Sequence, residues 1–100
     1  MVSGGPDYFP RMITTAVEEE QENDEVTDAE TVITFSKTVL AFLIYNHGPF
    51  NAHYSLSTGV STNNFMIPSG AGLMMDLPTT SIYFICAAGQ NAFIYVCGVR

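Results

Sequence analysis

From residue 31 onward the chain alternates apolar and polar positions in short runs, and each run stops at Gly, Pro, Asn or Ser. A two-residue period marks a strand, whose successive side chains point to opposite faces of a sheet. The rhythm predicts strands at Thr31 to Phe35, Val39 to Asn46, Ala52 to Leu56, Asn63 to Ile67, Gly72 to Leu77, Ser81 to Ala87 and Ala92 to Val99. Turn residues occupy the breaks: Asn46 to Pro49, Pro68 to Gly70, Pro78, and Gly89 to Asn91, the last read as closing a hairpin between the final two strands. Outside residues 1 to 30, Gly, Pro and β-branched clusters interrupt every window long enough for an average helix. The expected fold is all-β, a small antiparallel β-sandwich or jelly-roll-like body of about seven strands.

The segment Ala52 to Ser57 alternates cleanly, with Ala52, Tyr54 and Leu56 inward and His53, Ser55 and Ser57 in water. Three other strands are apolar on both faces. Val39, Ala41, Leu43 and Tyr45 oppose Leu40, Phe42 and Ile44, and Ile82 and Phe84 oppose Tyr83 and Ile85. A body of this size buries only ~60 to 70% of its unfolded surface, too little to hide both faces of three strands. The surplus predicts a protein interface, and Leu40, Phe42, Ile44, Tyr83, Ile85, Ile94 and Val96 are its expected residues in a homo-oligomer. The bland reading, a sandwich whose middle strands are covered by the N-terminal arm, stays open.

Charge divides the chain differently. Nine of the ten acidic residues lie in residues 1 to 30, which carry about −8, while the remaining seventy carry about +1. The expected organisation is therefore an acidic extended arm over 1–30 and a β-sandwich body over 31–100. The arm has too little apolar surface to order alone, so it is expected to dock on a partner through Tyr8, Phe9, Met12 and Ile13, with Glu18, Glu19 and Glu20 supplying charge. Three basic residues cannot form a phosphate-binding patch, which argues against nucleic acid. The longest apolar run, Val39 to Tyr45, falls far short of the ~20 residues of a membrane-crossing helix, and Ser3 to Asp7 interrupt the place of a signal peptide.

The residues that carry chemistry are few. His47 and His53 lack a third ligand at zinc-like spacing, and the acidic run from Glu18 to Glu25 matches no calcium loop, so no metal or cofactor is expected. Placed on one hairpin, Cys86 and Cys97 fall three positions apart, about 10 Å, beyond disulfide reach, and read as buried free thiols. With two cysteines the chain is no disulfide scaffold, and synthesis in a reducing cytoplasm fits. No nucleophile elbow, phosphate loop or carboxylate pair occurs in the body, and a non-catalytic role is expected.

The strand Val39 to Tyr45 running into Asn46-His47-Gly48, the turns Ile67-Pro68-Ser69-Gly70 and Leu77-Pro78-Thr79-Thr80, and the closing strand Phe93 to Arg100 form one style of body. Over about seventy residues it resembles small virion proteins of tailed bacteriophages, particularly capsid decoration (cement) proteins and related head or tail accessory domains. The resemblance implies a jelly-roll or sandwich, commonly a homotrimer, on the outside of a capsid made in the host cytoplasm, whose arm reaches over neighbouring copies of the major capsid protein. It implies no active site. Two alternatives stay open. One is a head-tail connector or tail accessory protein; the other is a carbohydrate-binding or host-adsorption domain stacking sugars on Tyr54, Phe50 or Tyr83.

Overall fold

The computed structural model describes residues 18–100 and contains eight strands: β1 (Glu19–Val26), β2 (Thr31–Val39), β3 (Ala41–Pro49), β4 (Ala52–Ser55), β5 (Phe65–Ile67), β6 (Gly72–Met75), β7 (Thr79–Ile85) and β8 (Ala92–Val99). They form two four-stranded antiparallel sheets, in the orders β1-β8-β3-β6 and β2-β7-β4-β5. First pairs with last, second with seventh, third with sixth and fourth with fifth, as when one long hairpin wraps around a barrel. This is the jelly-roll order, with all seven strands expected from the alternation present. Among the described residues no helix is long and apolar enough to cross a membrane.

The eighth strand corrects the expected division at residue 30. Residues 19–26 are not an arm: they form β1, an edge strand whose register with β8 is unbroken from Glu19↔Val99 to Val26↔Ala92. Hydropathy missed it because a ladder is made of backbone groups and asks nothing of the side chains, and only Val26 on β1 reaches the core. Charge is tolerated, even favoured, on an edge that must not pair with strangers. Deleting residues 1–30 should therefore unfold the body, because β8 loses a partner along its full length. A cooperative thermal transition retained in circular dichroism would contradict this.

The expected β7–β8 hairpin is corrected as well. The two strands lie in different sheets, so the link after Ile85 crosses the sandwich. A turn is present where Gly89 takes φ +76° and Gln90 N donates to Ala87 O at 3.0 Å. Asp28 Oδ2 accepts from Gly89 N at 3.0 Å and Thr27 O from Cys86 N at 2.8 Å, which tie this link to the β1–β2 link beside it. Turn residues report that the chain reverses, not whether the flanking strands pair. The two thiols are free, as expected, but only Cys86 is buried: Cys97 is half-buried in the outward row of β8, and the shared-ladder distance does not apply to the pair.

The core lies between the sheets. Val26, Phe42, Ile44, Ala92, Ile94 and Val96 face Ile33, Phe35, Val39, Ala52, Ile67, Ile82, Phe84 and Cys86. Four of the residues expected at an oligomer interface are thus interior: Phe42, Ile44, Ile94 and Val96 are at most 3% exposed. Leu40, Tyr83 and Ile85 remain half-buried at the surface. With both faces of β3 and β8 apolar, alternation alone does not say which is inside.

One polar side chain shares the interior. Asn46, fully buried, donates from Nδ2 to Phe50 O and Ile67 O, both at 2.9 Å, and accepts at Oδ1 from Gly48 N at 2.7 Å. Its backbone bonds Ala71 O and Gly70 N. It thereby pins together the end of β3, the cis Gly48–Pro49 turn, the end of β5 and the β5–β6 turn.

Candidate interaction surface

The outward side chains of the first sheet follow from its register. Across β1, β8, β3 and β6 they form the rows Glu19–Val99–Ala41, Gln21–Cys97–Leu43–Met74 and Asn23–Tyr95–Tyr45–Gly72, with Glu25 and Phe93 beyond them. Leu43, Tyr45, Phe93 and Tyr95 are 40–47% exposed although they sit on the two central strands of the sheet, and Met74 on the edge strand β6 is 58% exposed. His47 stands edge-on to Tyr95, ring centroids 6.1 Å apart, and is tilted against Tyr45 at 6.3 Å. Two shallow depressions of about 220 and 150 Å³ share this face, one lined by Gln21, Asn23, Tyr45 and Tyr95 and the other by Ala41, Met74 and Val99. The face is aromatic and aliphatic at its centre and acidic along β1.

The outward face of the second sheet differs in chemistry. Thr34 and Ser81 share a hydrogen bond at 3.2 Å, and Thr38 and Thr80 another at 2.9 Å. Tyr83 and Ile85 lie here, in register with Ser55 and His53. Hydroxyl pairs between these strands satisfy one another, while Val32 and Met66, 46% and 43% exposed, stand on the same face, so it is mixed rather than centrally apolar and aromatic. The interface expected on β3 and β8 falls on even-numbered positions, whereas the exposed apolar side chains of these strands stand on the odd-numbered ones. A signal was present: the odd face carries polar tips on Tyr45, His47, Tyr95 and Cys97, whereas Phe42, Ile44, Ile94 and Val96 are pure hydrocarbon.

Of the residues assigned to the arm, Tyr8, Phe9, Met12 and Ile13 lie outside the described residues, while Glu18, Glu19 and Glu20 do not serve as one charged patch. Glu18 and Glu20 clamp the C-terminal residue: Arg100 Nε donates to Glu18 Oε1 and Arg100 Nη1 to Glu20 Oε1, both at 2.7 Å. Glu20 turns inward and also accepts from Ser36 N and Ser36 Oγ, both at 2.9 Å, which fastens β1 to β2 across the sandwich edge. Glu19 is outward and receives the Cys97 thiol at 3.5 Å. Glu30 plays a similar part further along, accepting from Thr58 Oγ1 and from the amides of Gly59 and Val60.

These partners shift the carboxyls. Arg100, with Ser36, holds Glu20 down to about 2 from the ordinary 4.5, and the Gly59 amide with Thr58 holds Glu30 below its ordinary value. Glu22, hydrogen-bonded to Glu20 and partly desolvated, is pushed up. A carboxyl depressed in the fold contributes stability that is complete above its unfolded value and lost as pH falls through its folded value. Glu22 has the opposite sign and softens the loss. Unfolding temperature should therefore fall from pH 4.5 toward about 2, and Glu20→Gln should flatten that fall. An unchanged slope in the variant, read by circular dichroism melts, would remove the clamp from the explanation.

The thiols are quiet. Burial pushes Cys86 up, with Asp28 adding to it; burial and the Glu19 carboxylate do the same for Cys97. Thiolate is the reacting form, so both should resist iodoacetamide at neutral pH, with Cys86 protected until the chain unfolds. Rapid native-state labelling of Cys86, read by mass spectrometry, would contradict its burial. His53 Nδ1 lies 3.0 Å from Asn64 O in the β4–β5 connection, and His47 belongs to the aromatic group above. No three or more His, Cys, Asp or Glu side chains gather among the described residues to hold a metal ion. Comparison with protein-family models, with curated proteins and with solved structures finds no match to this chain.

Proposed function

We propose that this chain is a non-catalytic structural protein of a virion, a capsid decoration protein that binds and stabilises the shell of major capsid protein in a tailed bacteriophage. The observation that carries the reading is the outer face of the β1-β8-β3-β6 sheet, where four large apolar side chains on the central strands β3 and β8, with Met74 on β6 beside them, lie 40–58% exposed. A contiguous apolar patch on a small body marks a surface made for another protein. A jelly roll is a suitable bearer, since its two packed sheets hold such a patch preorganised. Repetition over a symmetric lattice then multiplies a modest single contact. The expected homotrimer is part of the proposal, and light scattering of the purified full chain reports its copy number.

A second reading has its own support. Tyr45 and Tyr95 lie side by side with Asn23 in the same row, the combination of ring faces and amide that stacks on and hydrogen-bonds a sugar. The deciding experiment is imaging of the encoding virus, where decoration predicts density of this jelly roll seated on the shell. Its absence from the particle, or binding of the pure chain to oligosaccharide alone, would overturn the decoration reading.

A further inference from the structure

We infer that the outer face of the β1-β8-β3-β6 sheet seats a different protein rather than a second copy of this chain, one that is apolar opposite Leu43, Tyr45, Tyr95 and Met74 and basic opposite β1; this rests on the assembly reading above. Charge is the first reason. Outward along β1 stand Glu19 and Glu25, which border the apolar rows without a cation beside them on the face. The basic residues among those described are Lys37 and Arg100. Arg100 is committed to Glu18 and Glu20 at 2.7 Å, and Lys37 lies on β2 in the other sheet. Residues 1–17 add one charge of each sign, Asp7 and Arg11. A second copy presenting the same face would bring the same acids and no cationic edge to meet them, and like charges set opposite one another oppose association.

Area is the second reason. Four strands at a spacing of about 4.8 Å, with outward rows spanning about 20 Å, give a face of roughly 400 Å². Two copies stacked through it would bury about 800 Å² together, below the ~1,200 Å² at which specific pairs become stable. A foreign partner is not confined to this outline: it can continue past β1 and put Lys or Arg against Glu19 and Glu25. Exposed ion pairs add little to strength but steer approach and fix orientation, and here they would set which way round the body sits. The apolar centre supplies affinity, and the acidic strand supplies direction.

The test is sedimentation binding of the full-length chain to shell particles of the encoding virus prepared without it, with light scattering of each variant alone. The variants are Leu43→Ser with Tyr95→Ser, Glu19→Gln with Glu25→Gln, and Val32→Ser on the outer face of the other sheet. All three alter exposed side chains, and thermal melts verify folding. The serine pair should bind at least ~10-fold more weakly. The glutamine pair should bind ~3- to 10-fold more weakly in about 50 mM salt and match the parent in about 500 mM. Val32→Ser should bind like the parent, and the mass of every variant in solution should equal the parent's. Undiminished particle binding by the serine pair overturns this inference and leaves the decoration reading standing. A fall in solution mass for that pair with particle binding intact hands the face to a second copy. Competition by free oligosaccharide hands it to a sugar. A parent chain that ignores the particles removes both readings.

Discussion

Replacing Asn46 with Ala should lower the free energy of unfolding by about 3–5 kcal/mol, since each buried partner left unsatisfied costs ~1–3 kcal/mol. The substitution strands three groups at once: the Phe50 and Ile67 carbonyls lose their donor, and the Gly48 amide loses its acceptor. Water cannot easily repair the site, because Asn46 has no exposed surface. A body of this size has only ~5–15 kcal/mol in total, so the variant should stand near the edge of folding. Asn46→Asp keeps the shape but turns the Nδ2 donor into an acceptor facing two carbonyls, and it should fare no better at neutral pH. Urea denaturation measures both. A loss under about 1 kcal/mol for the alanine variant would mean that the junction of β3, β5 and the two turns is held by something else.

Gly98→Val should be the next most damaging change, at about 3 kcal/mol or somewhat more, toward the upper end of the range for overpacked cores. Gly98 is buried on the inner side of β8, where a Cβ would stand 2.6 Å from Val39 Cγ1 and 2.9 Å from Phe35 Cε1. Its backbone is not in the left-handed region, so the objection to a side chain is one of space alone. Two large residues of β2 have filled the volume that a side chain on β8 would occupy. The double variant Gly98→Val with Phe35→Leu should recover part of the loss, because it removes ring atoms that a Cβ at position 98 would meet. A Gly98→Val protein as stable as the parent in the same urea titration would show that the sheets can separate without penalty.

Much of the fold was legible because alternation, turn residues and β-branched runs all agreed from Thr31 onward. Three things were not. β1 is written in Glu, Gln, Asn and Asp, and a strand at a sheet edge needs only its backbone, so hydropathy carries no trace of it. The link between β7 and β8 has the residues of a hairpin turn, but its direction is set by β1 and β3 lying on either side of β8, a long-range fact. The choice of buried face on β3 and β8 was a coin with two apolar sides, and Phe42 and Ile44 fell inward where Leu43 and Tyr45 did not. Asn46 was readable as a turn residue but not as the polar centre of the interior. Of the candidate surface, the surplus of apolar side chains was legible in the sequence, while its position on the odd-numbered residues was not.

The placement of β8 bears on how the protein comes into being. It occupies residues 92–99, yet it lies inside its sheet, between β1 and β3. A ribosome that has released the chain only as far as residue 90 has delivered seven strands and no means of joining two of them. Up to that moment β1 and β3 offer raw edges to whatever else is being made nearby, and a growing chain of this kind is vulnerable to wrong pairing. Closure of this sheet must wait until residues 92–99 have emerged, and it then joins strands far apart in the chain, the slow kind of closure that distant pairings impose.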